Sequence, residues 1–358
     1  MSSEFKNFVY LPLLKPNFIC MKKNQILLRN SFIFNNKIIF FIPLFALFFS
    51  FSCHVIKNGN YYIFSLPENP PAMFQWIDKG VLAAKITEVT VNDYLFFLET
   101  VSKDSSEEYL KELIPSNECA LFPYLRLEKG LKSEEEDQKM IWLDVDAFKE
   151  KMYAKKNPVA FIDEFEKPIT GISFDQAEEY AAWCTFYFNK EQDLIKNGNR
   201  IIIFRLPTPA EFTNISKRGM EDCDFESDKY CEINRKAWKE CANPKGCALC
   251  NCAGKPVCET NKQVDEMFGK ESLYTVNIFS PNFIGLMDVQ GNAAEMTNEK
   301  GIAKGGSYLN TAKECLPDAI QKYEKPEKWL GFRLIAEVVD ISTTKMYFDD
   351  EGKLREHK

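Results

Sequence analysis

Gly285-Leu286-Met287-Asp288-Val289-Gln290-Gly291-Asn292-Ala293-Ala294-Glu295-Met296 reads as a compact turn that runs into a strand. Gly291 suits a tight turn or a close backbone approach. Asn292 and Glu295 stand three apart, and both carry oxygen atoms that a hard cation accepts. Downstream, Gly305-Gly306-Ser307 is a second turn, and Gly331-Phe332-Arg333 precedes an apolar strand. That setting makes Arg333 a buried ion-pair partner rather than a reacting group.

Upstream of this stretch the sequence marks helices and strands by local chemistry. Thr90 followed by Asp93 starts a helix whose buried face is Val91, Tyr94, Leu95, Leu98 and Val101. Ser173 with Gln176 starts a second, with Phe174, Ala177, Tyr180, Ala181, Cys184, Tyr187 and Phe188 facing inward. Thr208, Pro209 and Glu211 occupy the N-cap, N1 and N3 positions of a third. Tyr61–Leu66 and Ile201–Leu206 read as short strands, and Ser133–Asp137 as a solvated charge run. Scattered short strands among a few capped helices predict an α+β domain with much irregular structure.

The N-terminus has a different character. An apolar run, Ile38–Phe49, follows cationic Lys22, Lys23, Arg29 and Lys37, the layout of a secretory signal. It is shorter than the roughly 20 apolar residues that span a bilayer. It ends in Ser50-Phe51-Ser52-Cys53, which resembles a bacterial lipoprotein cleavage site, although Ser50 stands where such sites usually have Leu. Residues 1–53 are therefore read as a leader and Cys53 as a lipidation site. Met21-Lys22-Lys23 reads as an alternative start, with residues 1–20 an extension ahead of it. An uncleaved N-terminal anchor is the competing reading, and both place the body outside the cytoplasm. Residues 54–80 then form a tether and first strand, 81–338 the main domain, and 339–358 a C-terminal extension.

Twelve cysteines fit that compartment, seven of them between Cys223 and Cys258. Such a cluster in an exported protein reads as a disulfide-stapled loop, here an insertion over 221–260. A zinc site would show two Cys-x-x-Cys knuckles, and this segment has one, Cys247 with Cys250. A net charge of −7 with no basic stripe argues against a nucleic-acid partner. His54 and His357 are the two histidines of the chain, too few for a three-histidine metal centre and badly placed for a Ser-His-Asp or Cys-His pair. No phosphate loop or dinucleotide fingerprint is present.

Taken in order, Glu88-Val89-Thr90, Pro168-Ile169-Thr170-Gly171, Arg205-Leu206-Pro207-Thr208-Pro209-Ala210-Glu211, Gly285–Met296, Gly305-Gly306-Ser307 and Gly331-Phe332-Arg333 resemble the sulfatase-modifying factor (formylglycine-generating) family. The resemblance implies a C-type-lectin-like fold. It implies that the stretch holding Asn292 and Glu295 contributes to a structural calcium site. It also implies a catalytic pair of cysteines three and eight residues past the Gly-Gly-Ser serine, holding copper(I) as thiolates. Here those positions are Asn310 and Cys315. Ser307 and Cys315 carry over, and the first cysteine does not. An amide cannot replace a thiolate on a soft ion, so copper is not expected.

These features predict a catalytically inactive lipoprotein, a structural or interaction component among the proteins of the cell envelope, held to the membrane through its lipid anchor. Its layout resembles lipoproteins of gliding-motility and secretion machinery. Two alternatives stand beside it. One is a formylglycine-generating-type oxidase of exported proteins. The other is a lectin-like carbohydrate or peptide binding module with Tyr308, Tyr323 and Trp329 as its face.

Overall fold

The computed structural model describes residues 70–102, 105–119, 164–190, 199–221, 228–256 and 258–344, and the backbone of short strands at 56–57, 62–63, 125–129, 139–143, 346–348 and 354–356. Cys53, the leader, the charge run at 133–137, both histidines and Cys223 lie outside the described residues, as does the side chain of Cys231. The chain divides into a unit of residues 1–62 and a body of residues 63–358. Among the described residues no helix is long and apolar enough to cross a membrane.

Strands β1 (Ile56–Lys57) and β2 (Tyr62–Ile63) pair ahead of the body's first hairpin, β3 (Phe74–Asp78) with β4 (Leu82–Lys85). Helices α1 (Val91–Val101) and α2 (Glu107–Leu113) follow, then the strand pair β5 (Leu125–Lys129) and β6 (Lys139–Leu143). Next come α3 (Phe174–Lys190), β7 (Arg200–Arg205), α4 (Pro209–Glu221), α5 (Asp228–Glu240) and α6 (Glu259–Phe268). Short strands β8 (Ala294–Met296), β9 (Ile302–Lys304), β10 (Gln321–Lys322), β11 (Leu330–Phe332) and β12 (Ile335–Asp340) carry the chain to α7 (Ile341–Thr344) and the pair β13 (Met346–Phe348) and β14 (Leu354–Glu356). Two four-stranded sheets result, ordered β3-β4-β12-β7 and β10-β9-β8-β11. The first is antiparallel throughout, and the second contains one parallel pair, β8 with β11.

The three helix starts form by reciprocal capping. Thr90 Oγ1 accepts the Asp93 N–H at 3.1 Å while Asp93 Oδ2 accepts the Thr90 N–H at 3.0 Å. Ser173 with Gln176 and Thr208 with Glu211 repeat the arrangement. Each box satisfies two backbone donors that a helix end otherwise leaves open. Between the caps, α1 and α3 supply an aromatic core. Tyr94 stacks on Tyr180 at 5.8 Å, and Tyr180 meets the edge of Phe332 at 5.5 Å.

Two expectations are corrected here. Tyr187 on α3 is exposed, and the fully buried positions of that turn are Thr185 and Asn189. The reason is β7, whose far side has no strand beside it. Thr185 Oγ1 accepts the Phe204 N–H at 2.9 Å and reaches the Phe204 carbonyl at 3.3 Å. Asn189 Oδ1 accepts the Ile202 N–H at 3.0 Å and its Nδ2 donates to the Ile202 carbonyl at 2.7 Å. Two polar side chains four apart thus take the place of a missing strand. The second correction concerns 221–260, expected as loop. It contains α5 and buries Cys241, Cys250 and Cys252. Its sulfurs form a small core of their own, as shown below.

Asn189→Ala leaves the buried N–H and C=O of Ile202 without partners, at about 1–3 kcal/mol for each group. The expected result is a lower urea midpoint with unchanged slope in equilibrium unfolding of the full chain.

Candidate functional site

The quoted motifs, far apart in sequence, meet at one place. Val89 N–H donates to the Phe332 carbonyl at 2.9 Å, Ile169 N–H to the Val89 carbonyl at 2.9 Å, and Gly291 N–H to the Gly305 carbonyl at 2.9 Å. The parallel ladder of β8 and β11 sets Gly331 beside Glu295. At the centre lies Arg333, 1% exposed. Its Nε and Nη2 fork onto both oxygens of Glu295, at 3.0 and 2.8 Å. Nη1 donates to the carbonyls of Lys85 and Ile86, and Nη2 to that of Met287, each at 2.7 Å. All five guanidinium donors are therefore engaged.

Asn292 is buried beside this pair, at φ 62°. Its Oδ1 accepts from Tyr274 N–H at 3.0 Å and from Asn251 Nδ2 at 3.2 Å. Its Nδ2 donates to Glu88 Oε1 at 3.1 Å. The expected calcium ligands are thus committed elsewhere. Both Glu295 oxygens face Arg333, and the Asn292 oxygen faces two N–H donors, so this pair as placed does not fit a calcium ion. The reason is that oxygen ligands for a cation and acceptors for a buried arginine are the same residue types, and here the arginine is present.

Three carboxyls, Glu88, Asp288 and Glu295, share the one guanidinium. Burial raises Glu88 well above the usual carboxylate range, and the nearby charges of Asp288 and Glu295 add to it, with Arg333 opposing. Burial raises Glu295 as well, against the pull of Arg333. Asp288, half-buried and accepting from Asn277 N–H, is pushed up to about 6, chiefly by burial. Glu88 Oε2 is buried without a hydrogen-bond partner, which suits a carboxyl that keeps its proton. Reading the sequence for a helix start at Thr90 passed over Glu88, whose role depends on residues far along the chain.

The loop after Gly-Gly-Ser is built around Ser307. Its N–H and its hydroxyl both donate to Asn310 Oδ1 at 2.9 Å. The Asn310 amide therefore closes a turn. Cys315 ends a short 3-10 helix, Ala312–Cys315, and is 0% exposed. Its sulfur lies against Gly306, where a Cβ would come within 2.5 Å of it, at φ 71°. A side chain there would displace the sulfur or strain the turn. Burial pushes the Cys315 thiol well above the usual cysteine range. The two positions that the family's copper pair would occupy thus hold an amide engaged with Ser307 and a buried, protonated thiol. They do not fit copper(I).

The cysteine-rich segment is laid across this loop. Asn251 bridges Gly291 and Ala253 bridges Thr311, and Ala253 N–H donates to the Asn310 carbonyl at 2.7 Å. Gly291 accommodates the crossing, since a Cβ there would lie 2.4 Å from the Asn251 carbonyl oxygen. Between the two bridges sits Cys252, 2% exposed and grouped with Cys241, Cys250 and Cys315. Disulfides join Cys241 to Cys250 and Cys247 to Cys258. The one Cys-x-x-Cys pair is thereby split between two staples. Tyr308 and Tyr323, two rings of the expected sugar-binding face, are 5% and 9% exposed and belong to the interior.

Arg333→Met strands the Glu295 charge inside the protein, at about 3–5 kcal/mol, to be read from the urea midpoint at neutral pH. Asp288 carries a raised folded-state value, so its contribution is present below the unfolded value of about 4 and fades as pH rises through about 6. Asp288→Asn removes that titration. Its stability relative to the unaltered chain is expected to increase between pH 4 and pH 7.5, measured by paired urea curves.

Comparison with known proteins comes to the same domain. The model of the sulfatase-modifying factor enzyme 1-like domain matches residues 54–338. Among solved structures, the crystal structure of CarF is 18% identical and aligns over 72% of this chain and 86% of its own, with a TM-score of 0.39. Treponema denticola variable protein 1 is 13% identical over 74% and 91%, with a TM-score of 0.36. PvdO from Pseudomonas aeruginosa is 12% identical over 59% and 90%, with a TM-score of 0.31. The search of curated proteins gives no match. The chain belongs to the sulfatase-modifying factor enzyme 1-like family and has its α+β, C-type-lectin-like fold.

Proposed function

We propose that this chain is an exported lipoprotein, anchored through Cys53, whose sulfatase-modifying factor domain is catalytically inactive and serves as a structural or interaction component of the cell envelope. The observation that carries the inactive reading is Asn310. It occupies the first thiol position, and its amide is locked onto Ser307 at 2.9 Å. Cys315, the remaining partner, has no solvent exposure. The envelope setting draws on the signal-like leader and on Cys53, and the lipoproteins of gliding and secretion machinery are its nearest analogy in layout. Its partners would be other envelope proteins.

The oxidase reading has one observation in its favour. Cys252 supplies a second thiol in the same buried cluster as Cys315. Against it, both thiols lack solvent access. Burial also pushes Cys252 up to about 11, so neither is a thiolate at neutral pH. A cysteine that reacts with oxygen or a substrate needs both exposure and thiolate character.

Incubating the full chain with copper, oxygen and a cysteine-containing sulfatase peptide is expected to give no formylglycine by mass spectrometry; aldehyde product at any stoichiometric level overturns the inactive reading. Metabolic labelling with a palmitate analogue is expected to mark the protein and to vanish in Cys53→Ala. Persisting label in that variant removes the anchor from the proposal.

A further inference from the structure

Cys241 follows α5, while Cys250 and Cys252 sit two apart on the segment that crosses the loop after Ser307. That segment is held extended there. Asn251 bridges Gly291 and Ala253 bridges Thr311, both in parallel sense, and Asn251 Nδ2 donates to the Ser272 carbonyl at 2.8 Å. Residues two apart on an extended chain present their side chains to one face. Cys250 and Cys252 therefore offer two sulfurs to the one sulfur of Cys241. Cys241 is bonded to Cys250, and the Cys252 thiol lies within 4.8 Å of both sulfurs of that bond. The three residues are 0%, 1% and 2% exposed. Such burial keeps dissolved thiols and oxidants from the bond and leaves the neighbouring thiol as its attacker.

We infer that Cys241 changes partners between Cys250 and Cys252 by thiol–disulfide exchange inside the folded protein. The Cys252 thiolate attacks the Cys241 sulfur, a Cys241–Cys252 bond forms and the Cys241–Cys250 bond breaks. Cys250 leaves as a thiolate and takes up the proton that Cys252 released. No electrons enter or leave the protein, so no oxidant or reductant takes part. The second staple, Cys247–Cys258, keeps its bond throughout, because no thiol is added. The exchange decides which of two thiols, Cys250 or Cys252, stays free in the cluster that holds Cys315. It stands apart from the question of whether the domain is an oxidase. Exchange runs through the thiolate, so it quickens with pH. Burial pushes the Cys252 thiol up to about 11, with the Lys255 ammonium pulling against the rise. Among the described residues, Lys255 on its own segment and Cys315 on the 3-10 helix are the titratable groups that face it.

The test uses the full oxidised chain, with no thiol or oxidant added and a chelator present against metal-catalysed oxidation. After incubation at about pH 7 or about pH 9, free thiols are trapped in acidic denaturant with a maleimide. The disulfides are then reduced and given a second label, and peptide fragment ions place each label. The first label is expected on Cys252 and, growing with time, on Cys250, roughly a hundredfold faster at the higher pH. Cys250→Ser is expected to keep Cys241 protected from the first label through Cys252, and Cys250→Ser/Cys252→Ser to expose it. A first label that never reaches Cys250 at the higher pH overturns the inference. So does one that spreads equally to Cys247 and Cys258, which marks general scrambling, or that fills Cys241 in Cys250→Ser. The measurement on the unaltered chain decides the matter by itself if the variants fail to fold.

Discussion

The burial of one guanidinium organises this domain. Arg333 has no access to water, and a charge in that position is tolerated only when its donors all find acceptors. Those acceptors come from the ends of β4, the turn before β8 and β8 itself. Each supplier is short, and none would hold its place alone. The arginine thus ties the end of β4, the turn before β8 and β8 to its own place between β11 and β12. The arrangement is overloaded with acid, because Glu88 and Asp288 crowd the same cation. Burial and this crowding push Glu88 up, while Lys85 joins Arg333 in pulling against the rise of Glu295.

Around this hub the loop after the glycines is closed by its own side chains. Gly306 still shapes the floor under Cys315, and Ser307 still turns the chain after the glycines. Ser307 has Asn310 as its partner. A carboxamide at position 310 completes the turn's hydrogen bonding internally. The cysteine-rich insertion then seals the region, laying its backbone against Gly291 and Asn310. The side chains of Cys252 and Cys315 are packed here in the interior.

Legibility in the sequence followed the range of each interaction. The caps at Thr90, Ser173 and Thr208 are settled within three residues, and all three were readable as written. The ion pair of Arg333 was readable as a category, because a charged residue leading into an apolar strand has few other fates. Its partner was not, and Glu295 was read as a cation ligand for want of the arginine's position. Thr185 and Asn189 carry no local signal of their role. Their purpose exists only once β7 lies beside α3 without a neighbouring strand. The pairing of cysteines, and the meeting of Cys252 with Cys315, depend on how the insertion crosses the loop after Ser307, which no spacing encodes.

The capping of β7 by Thr185 and Asn189 bears on how the domain can join other proteins. Exposed strand margins are templates to which a partner chain, or a second copy, adds its own backbone. With the outward amides and carbonyls of Ile202 and Phe204 already answered by α3, that margin offers nothing to template on. Assembly by strand addition to this sheet is left to β3, at its opposite border.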